Sequence, residues 1–264
     1  MISFEQAMAA MSDERIASLK VEMLDAEDIL NLILQRSEII RDQNRPNWHI
    51  KQWTEGKDGP LLDLIAGVGP SELARRAAAF IYLEYLELKP IFDQAPPRRI
   101  ADIGCGYAFF DLFLAQDFGC RLVLIDLEQS GHRHFGYENE GAAYSNLDVA
   151  RAFLTMNGID DADIDTRNPA REDLGDIDRL DYALSFISCG FHYPWHTYRD
   201  FFARALRPGG MTILDVRRRV SGEARAEMAR MGSVKIVAQA AYGRADRVML
   251  TVDGTADGTA GGGQ

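Results

Sequence analysis

Two glycines and two acids within residues 98–128 carry the clearest chemistry in this sequence. Residues 99–103 read as a short apolar strand, and Gly104-Cys105-Gly106 turns it into a helix that starts at Phe109. Glycine has no Cβ, so Gly104 and Gly106 let the backbone come close to a ligand. A second apolar strand begins at Arg121 and ends in Asp126, twenty residues after Gly106. In a doubly wound sheet an acid at that strand end binds both hydroxyls of a ribose. A lone Gly-x-Gly says little. Strand, Gly-x-Gly, helix and a strand-end acid together describe a nucleoside site. Dinucleotide enzymes want Gly-x-Gly-x-x-Gly, so that a pyrophosphate sits on the helix N-terminus. The third position here is Phe109, whose ring obstructs the close helix–strand approach, and this disfavours an NAD-dependent oxidoreductase. A second set of chemical residues, Ser188–His196, follows the apolar strand 181–187. It leaves the carboxyl end of a central strand, where such folds bind ligands. Histidine is the commonest general base near neutral pH. His192 reads either as that base or as a loop-packing residue, and His196 as mainly structural.

The run Asp102-Ile103-Gly104-Cys105-Gly106-Tyr107-Ala108 resembles motif I of class I S-adenosylmethionine (SAM)-dependent methyltransferases, an acid-x-Gly-x-Gly-x-Gly pattern with Ala108 in place of the last glycine. Asp181–Ser185 resembles the family's fourth strand, and Leu206-Arg207-Pro208-Gly209-Gly210 the turn before its fifth. The three matches stand in order across residues 98–216. The resemblance implies that Asp102, Gly104, Cys105 and Gly106 flank the methionine moiety of SAM. It implies that Asp126 holds the ribose, that Leu127 touches the adenine, and that Ser185 and Phe186 line the sulfonium side. The adenine amine usually meets a polar side chain after the third strand, for which Asn168 is the candidate, with Asp165 beside it.

Methyl transfer from SAM is an in-line displacement, so the protein supplies alignment and, for a hydroxyl acceptor, a base. His192 is assigned that catalytic role. No metal is expected, because residues 185–198 contain no Asp or Glu and a metal-assisted reaction needs several converging oxygens. Residues 141–147 (GAAYSNL) and 190–198 (GFHYPWHTY) resemble methyltransferases of bacterial polysaccharide and sugar modification. That implies O-methylation of a small-molecule acceptor, a sugar or related metabolite. Two alternatives stay open: methylation of a metabolite or protein amine, and a non-catalytic SAM-binding scaffold or regulator.

These residues need a frame to position them. From Arg98 onward, strands at 99–103, 121–126, 162–166, 181–187, 211–216, 234–240 and 247–252 alternate with helices at 109–118, 145–157, 198–205 and 221–231. The pattern is α/β: a doubly wound, mostly parallel seven-stranded sheet with helices on both faces, closed by a hairpin at Tyr242-Gly243. Residues 98–253 form this domain, and residues 1–97 an N-terminal helical extension or cap. Within the extension, Ile16, Leu19, Met23, Ala26, Leu30 and Ile33 share one helical face, which Pro46 ends. That face must be buried over the mouth of the site, or in a homodimer. Residues 47–60 read as a loop whose Trp48, His49 and Trp53 could stack on a ring or pack in the core. A second helix runs from an N-cap at Ser71 to Pro90, and Pro96-Pro97 marks the boundary. Ser130–Tyr144 reads as a lid over the cofactor or a surface loop; His132, His134 and Glu138 are too few for a metal site. The glycine-rich tail, 254–264, is expected to be disordered.

The formal net charge of −11 disfavours a nucleic-acid substrate. The one basic run, Arg217–Arg219, reads as a solvated helix start. No stretch reaches the about 20 apolar residues of a membrane span, and the first residues do not form a signal peptide. Three cysteines match no zinc spacing and suit reduced thiols in the cytoplasm.

Overall fold

In the computed structural model, which describes residues 2–128 and 145–253, strand alternation divides the core in two. The strands are β1 (Arg99–Ile103), β2 (Arg121–Ile125), β3 (Ile164–Arg167), β4 (Leu180–Ser185), β5 (Leu206–Arg217), β6 (Gly232–Ala240) and β7 (Ala245–Val252). They form one sheet in the order β3-β2-β1-β4-β5-β7-β6. The pairs from β3 to β5 are parallel, and β7 runs antiparallel to both β5 and β6. Successive side chains of a strand point to opposite faces. Ile100, Leu122, Leu124 and Leu184 enter one core. Ala101, Ile103, Val123 and Ala183 enter the other.

The first core is covered by α7 (Phe109–Phe118), α8 (Leu147–Met156) and the N-terminal helices. The second is covered by α9 (Arg199–Ala205) and α10 (Arg218–Met228). Arg217 is the last residue of β5 and Arg218 opens α10. The N-terminal helices are α1 (Phe4–Ala10), α2 (Glu14–Ala17), α3 (Ala26–Gln35), α4 (Pro46–Thr54), α5 (Gly59–Val68) and α6 (Pro70–Gln94).

The apolar stripe runs through two of these helices instead of one. Asp25 restarts the chain at α3, its carboxylate accepting from the amides of Glu27 and Asp28, which is an N-cap's work. Ile16, Leu19, Leu30 and Ile33 are all buried inside the chain's own core. A partner subunit is therefore not needed to cover them. Pro46 begins α4 and does not end a helix, so the expected loop over 47–60 is largely helical. No residue of α4 is fully buried, which is why its sequence shows no apolar period. Gly69 takes the cap position expected for Ser71, with Pro70 at the first turn of α6. Pro90 lies within α6. It removes the hydrogen bond to the carbonyl four residues back, at a turn where Leu86 and Pro90 are both exposed.

One buried ion pair spans the antiparallel half of the sheet. Arg247 of β7 donates to both oxygens of Asp215 on β5, at 2.7 and 2.8 Å, and the two residues sit opposite one another in register. Among the described residues, no helix is long and apolar enough to cross a membrane. The expected lid, Ser130–Tyr144 with its two histidines, and the tail 254–264 lie outside the described residues.

Candidate functional site

Strand β1 has β2 on one side and β4 on the other. The connections leaving β1 and β4 therefore diverge, and a crevice opens at their carboxyl ends. Gly104, Cys105, Gly106, Asp102, Asp126 and Leu127 all line this cleft. Gly104 and Gly106 have φ of +75° and +59°, which glycine adopts at no steric cost. A Cβ on Gly104 would lie 2.0 Å from Ser188 Oγ, so no side chain fits there. Ala108 also has a positive φ, +58°, at the position where motif I carries its third glycine.

Asp126 is held from both sides. One oxygen accepts from the Gly106 amide at 3.0 Å and the other from the Glu128 amide at 3.1 Å. Burial pushes its carboxyl above the ordinary range, against the pull of these bonds. Asp102 of β1 and Asp111 of α7 are neighbouring buried carboxyls. Asp102 Oδ1 and both Asp111 oxygens meet no donor among the described residues. Burial raises Asp111 from 3.8 to about 7. Burial, and then the charge of Asp111, raise Asp102 well above its usual value.

That pair has a consequence for stability. The folded values lie above the unfolded ones, so the native state binds more protons. The contribution is complete below about pH 4 and is lost as pH rises through about 7. In Asp111→Asn the urea stabilities at the two ends of this window should converge. An unchanged pH dependence would show that the pair does not titrate there.

The far wall comes from the end of β4. Ser185 Oγ donates to the Ile103 carbonyl at 2.6 Å and accepts from the Cys189 amide at 2.9 Å. This clasp ties the loop to β1 and presents Phe186, Ile187 and Ser188 to the cleft. Ile187 has φ +51°, a costly conformation for a β-branched residue and one that clusters at functional sites. His192 and Tyr193 follow and also line the cleft. The His192 amide donates to the Ser188 carbonyl at 2.8 Å.

Sequence reasoning expected a cap over the mouth but placed none of its residues in the cleft. The end of α3 brings Leu32, Gln35 and Arg36 into the cleft, and α6 brings Glu84. Arg36 donates to both oxygens of Glu84, at 3.1 and 2.8 Å. Tyr107, in the glycine-rich turn, donates to Asp28 at 2.8 Å and accepts from Asn31 Nδ2 at 3.1 Å. The turn is thus bolted to α3. The only local signal was the general need to bury the N-terminal stripe.

Two expected cofactor residues are not brought to the cleft. Ser185 is fully buried with its hydroxyl spent on the clasp. Asn168 is also buried; its amide donates to the Leu127 carbonyl at 3.1 Å and to Glu128 at 2.8 Å. It supports the strand end carrying Leu127 and does not line the cavity. Asp165 pairs with Arg167 at 2.9 Å. His196 is exposed and lines a separate small cavity with Glu223 and Glu227. Trp48, His49 and Trp53 lie on α4, outside the cleft. Among the described residues no group of three or more His, Cys, Asp or Glu could hold a metal ion.

No protein-family model matches the chain, and no curated protein matches it. Solved structures do. A protein assigned as an O-methyltransferase from Nostoc punctiforme PCC 73102 matches with a TM-score of 0.50 at 11% identity, over 68% of this chain and 59% of that one. Geranyl diphosphate C-methyltransferase from Streptomyces coelicolor A3(2) gives 0.45 at 14%, over 69% and 84%. A protein assigned as an O-methyltransferase from Klebsiella pneumoniae gives 0.43 at 19%, over 64% and 80%. The chain spans 59% of the length of the Nostoc protein. That likeness is one of fold: the sheet and its flanking helices form the α/β fold of class I methyltransferases.

Proposed function

We propose that this chain, which has the class I methyltransferase fold, binds SAM at the carboxyl ends of β1 and β4 and passes its methyl group to a small-molecule hydroxyl. The observation that carries this reading is the sign of the cleft floor. Asp102 and Asp126 line it, with Asp111 behind Asp102. Such a floor favours a ligand bearing sulfonium and ammonium charges and opposes a pyrophosphate. The residues also fit in shape: the turn is free of Cβ atoms at Gly104 and Gly106, and Asp126 lines the cleft beside them.

SAM supplies an activated methyl group on a good leaving group. The chain's own work is binding, orientation and proton removal. Asp126 holds the ribose, Leu127 packs on the base, and Phe186 and Ile187 keep water from the reacting end. His192 takes the acceptor's proton. Residues 2–97 serve as the cap, through α3 and α6. The sugar acceptor is supported by the resemblance of residues 141–147 and 190–198. The free thiols of Cys105, Cys120 and Cys189 suit a reducing, cytoplasmic setting.

Calorimetry tests the reading: the chain should bind SAM and not NAD. A charge-assisted hydrogen bond contributes about 1.5–3 kcal/mol. Asp126→Ala should therefore weaken SAM binding by roughly tenfold to a hundredfold. An unchanged affinity would remove Asp126 from the nucleoside site. Turnover on a panel of sugar and amine acceptors then identifies the methylated group.

A further inference from the structure

We propose that the Asp102–Asp111 pair holds one proton in the ligand-free chain and releases it to solvent when the α-ammonium of the ligand reaches Asp102. This rests on the reading of the cleft as a SAM site. Asp111 is fully buried, Asp102 nearly so, and among the described residues three of their four oxygens meet no donor. Two facing carboxyls cannot both ionise unless a cation is near. None of the described cations pairs with either of them. The other titratable groups facing the pair are Asp126 at the end of β2, Cys105 in the turn and Cys120 before β2, and none carries positive charge. Arg36, also in the cleft, is committed to Glu84. A proton shared by the pair therefore removes one of its two negative charges.

An arriving ammonium supplies a positive charge permanently. The carboxylic O–H bond of the pair then breaks, and its proton passes to a buffer base. The ammonium keeps its own hydrogens, and no covalent bond forms to the ligand. Asp111 thus acts as a positioning residue. It shares one proton with Asp102 while the cleft is empty, leaving the pair a single negative charge, and its effect reaches the ligand through Asp102. Ligand affinity must then rise with pH, by up to about tenfold per pH unit below the titration of the pair.

SAM carries two positive centres, and two probes separate them. S-adenosylhomocysteine keeps the ammonium and lacks the sulfonium; 5′-methylthioadenosine keeps the nucleoside and lacks both. Titration calorimetry at about pH 6, in buffers of different ionisation enthalpy, counts the protons. S-adenosylhomocysteine should release about one proton from the wild-type chain and about none from Asp111→Asn. Methylthioadenosine should release about none, and His192→Ala should keep the release. The inference is overturned if S-adenosylhomocysteine releases fewer than about 0.2 protons. It is equally overturned if methylthioadenosine releases as many, which points to Asp126, or if the release disappears in His192→Ala. Should Asp111→Asn not fold, the wild-type chain decides. Its S-adenosylhomocysteine affinity must climb about tenfold per pH unit in the acid range while that for methylthioadenosine stays flat. Binding without proton release refutes this inference alone; failure to bind either nucleoside refutes the SAM site and the inference with it.

Discussion

His192→Ala should lower turnover of a hydroxyl acceptor by about 10²–10⁴ while leaving SAM affinity nearly intact. A hydroxyl attacks a sulfonium carbon only as its proton leaves, and His192 is the histidine that lines the cleft among the described residues. Its backbone is fixed by the bond to the Ser188 carbonyl, and its ring packs edge-on against Phe191 at 5.2 Å. The Ser185 clasp sets where that loop begins. A chelator should have no effect. Wild-type turnover in His192→Ala on the true acceptor would discard the base. Loss of activity in EDTA would discard the metal-free route.

Asp215→Ala should cost about 3–5 kcal/mol of stability, because it leaves the Arg247 guanidinium charged, buried and unpaired. Arg247 and Asp215 are 2% and 0% exposed at the side chain. Neither side chain is open to bulk water. The damage should also reach the site: the guanidinium lies 4.6 Å from the ring centroid of Phe186, which lines the cleft. Urea denaturation measures the loss. A double replacement, Asp215→Leu with Arg247→Met, should recover most of it, since exchanging a whole buried pair for apolar groups is often neutral. A loss below about 1 kcal/mol in Asp215→Ala would show that Arg247 finds another partner.

The part of the chain after Arg98 was legible because its signals are local. Ile100, Ala101 and Ile103 form an apolar run closed by Gly104, and Leu122–Ile125 form one closed by Asp126. Buried parallel strands write themselves this way. The N-terminal half was less legible because its order comes from contacts, not period. Nothing in Pro46–Thr54 alternates, since α4 buries no residue completely. Pro90 reads as a stop until the exposure of its turn is seen. The same division runs through the site. Gly104, Gly106 and Asp126 stand within one short motif. Arg36 and Glu84 are 48 residues apart and meet only because α3 crosses α6. Asn168 and Ser185 were recognisable as polar residues at the ends of strands. Which way their hydrogen bonds run, toward a ligand or into the scaffold, is a fact of packing that no linear spacing carries.

The bolting of the amino-terminal helices to later parts of the chain has a consequence during synthesis. Arg15 donates to the Phe113 carbonyl, 98 positions on, and the Lys20 amide donates to Asn157, 137 positions on. A ribosome adds about 5–20 residues per second. Lys20, between α2 and α3, therefore emerges roughly 7–27 s before its docking partner Asn157 exists. Until β1 and β2 are made, Ile16, Leu19, Ile29 and Ile33 have no sheet to cover them. The roof is made first, while the walls are still untranslated.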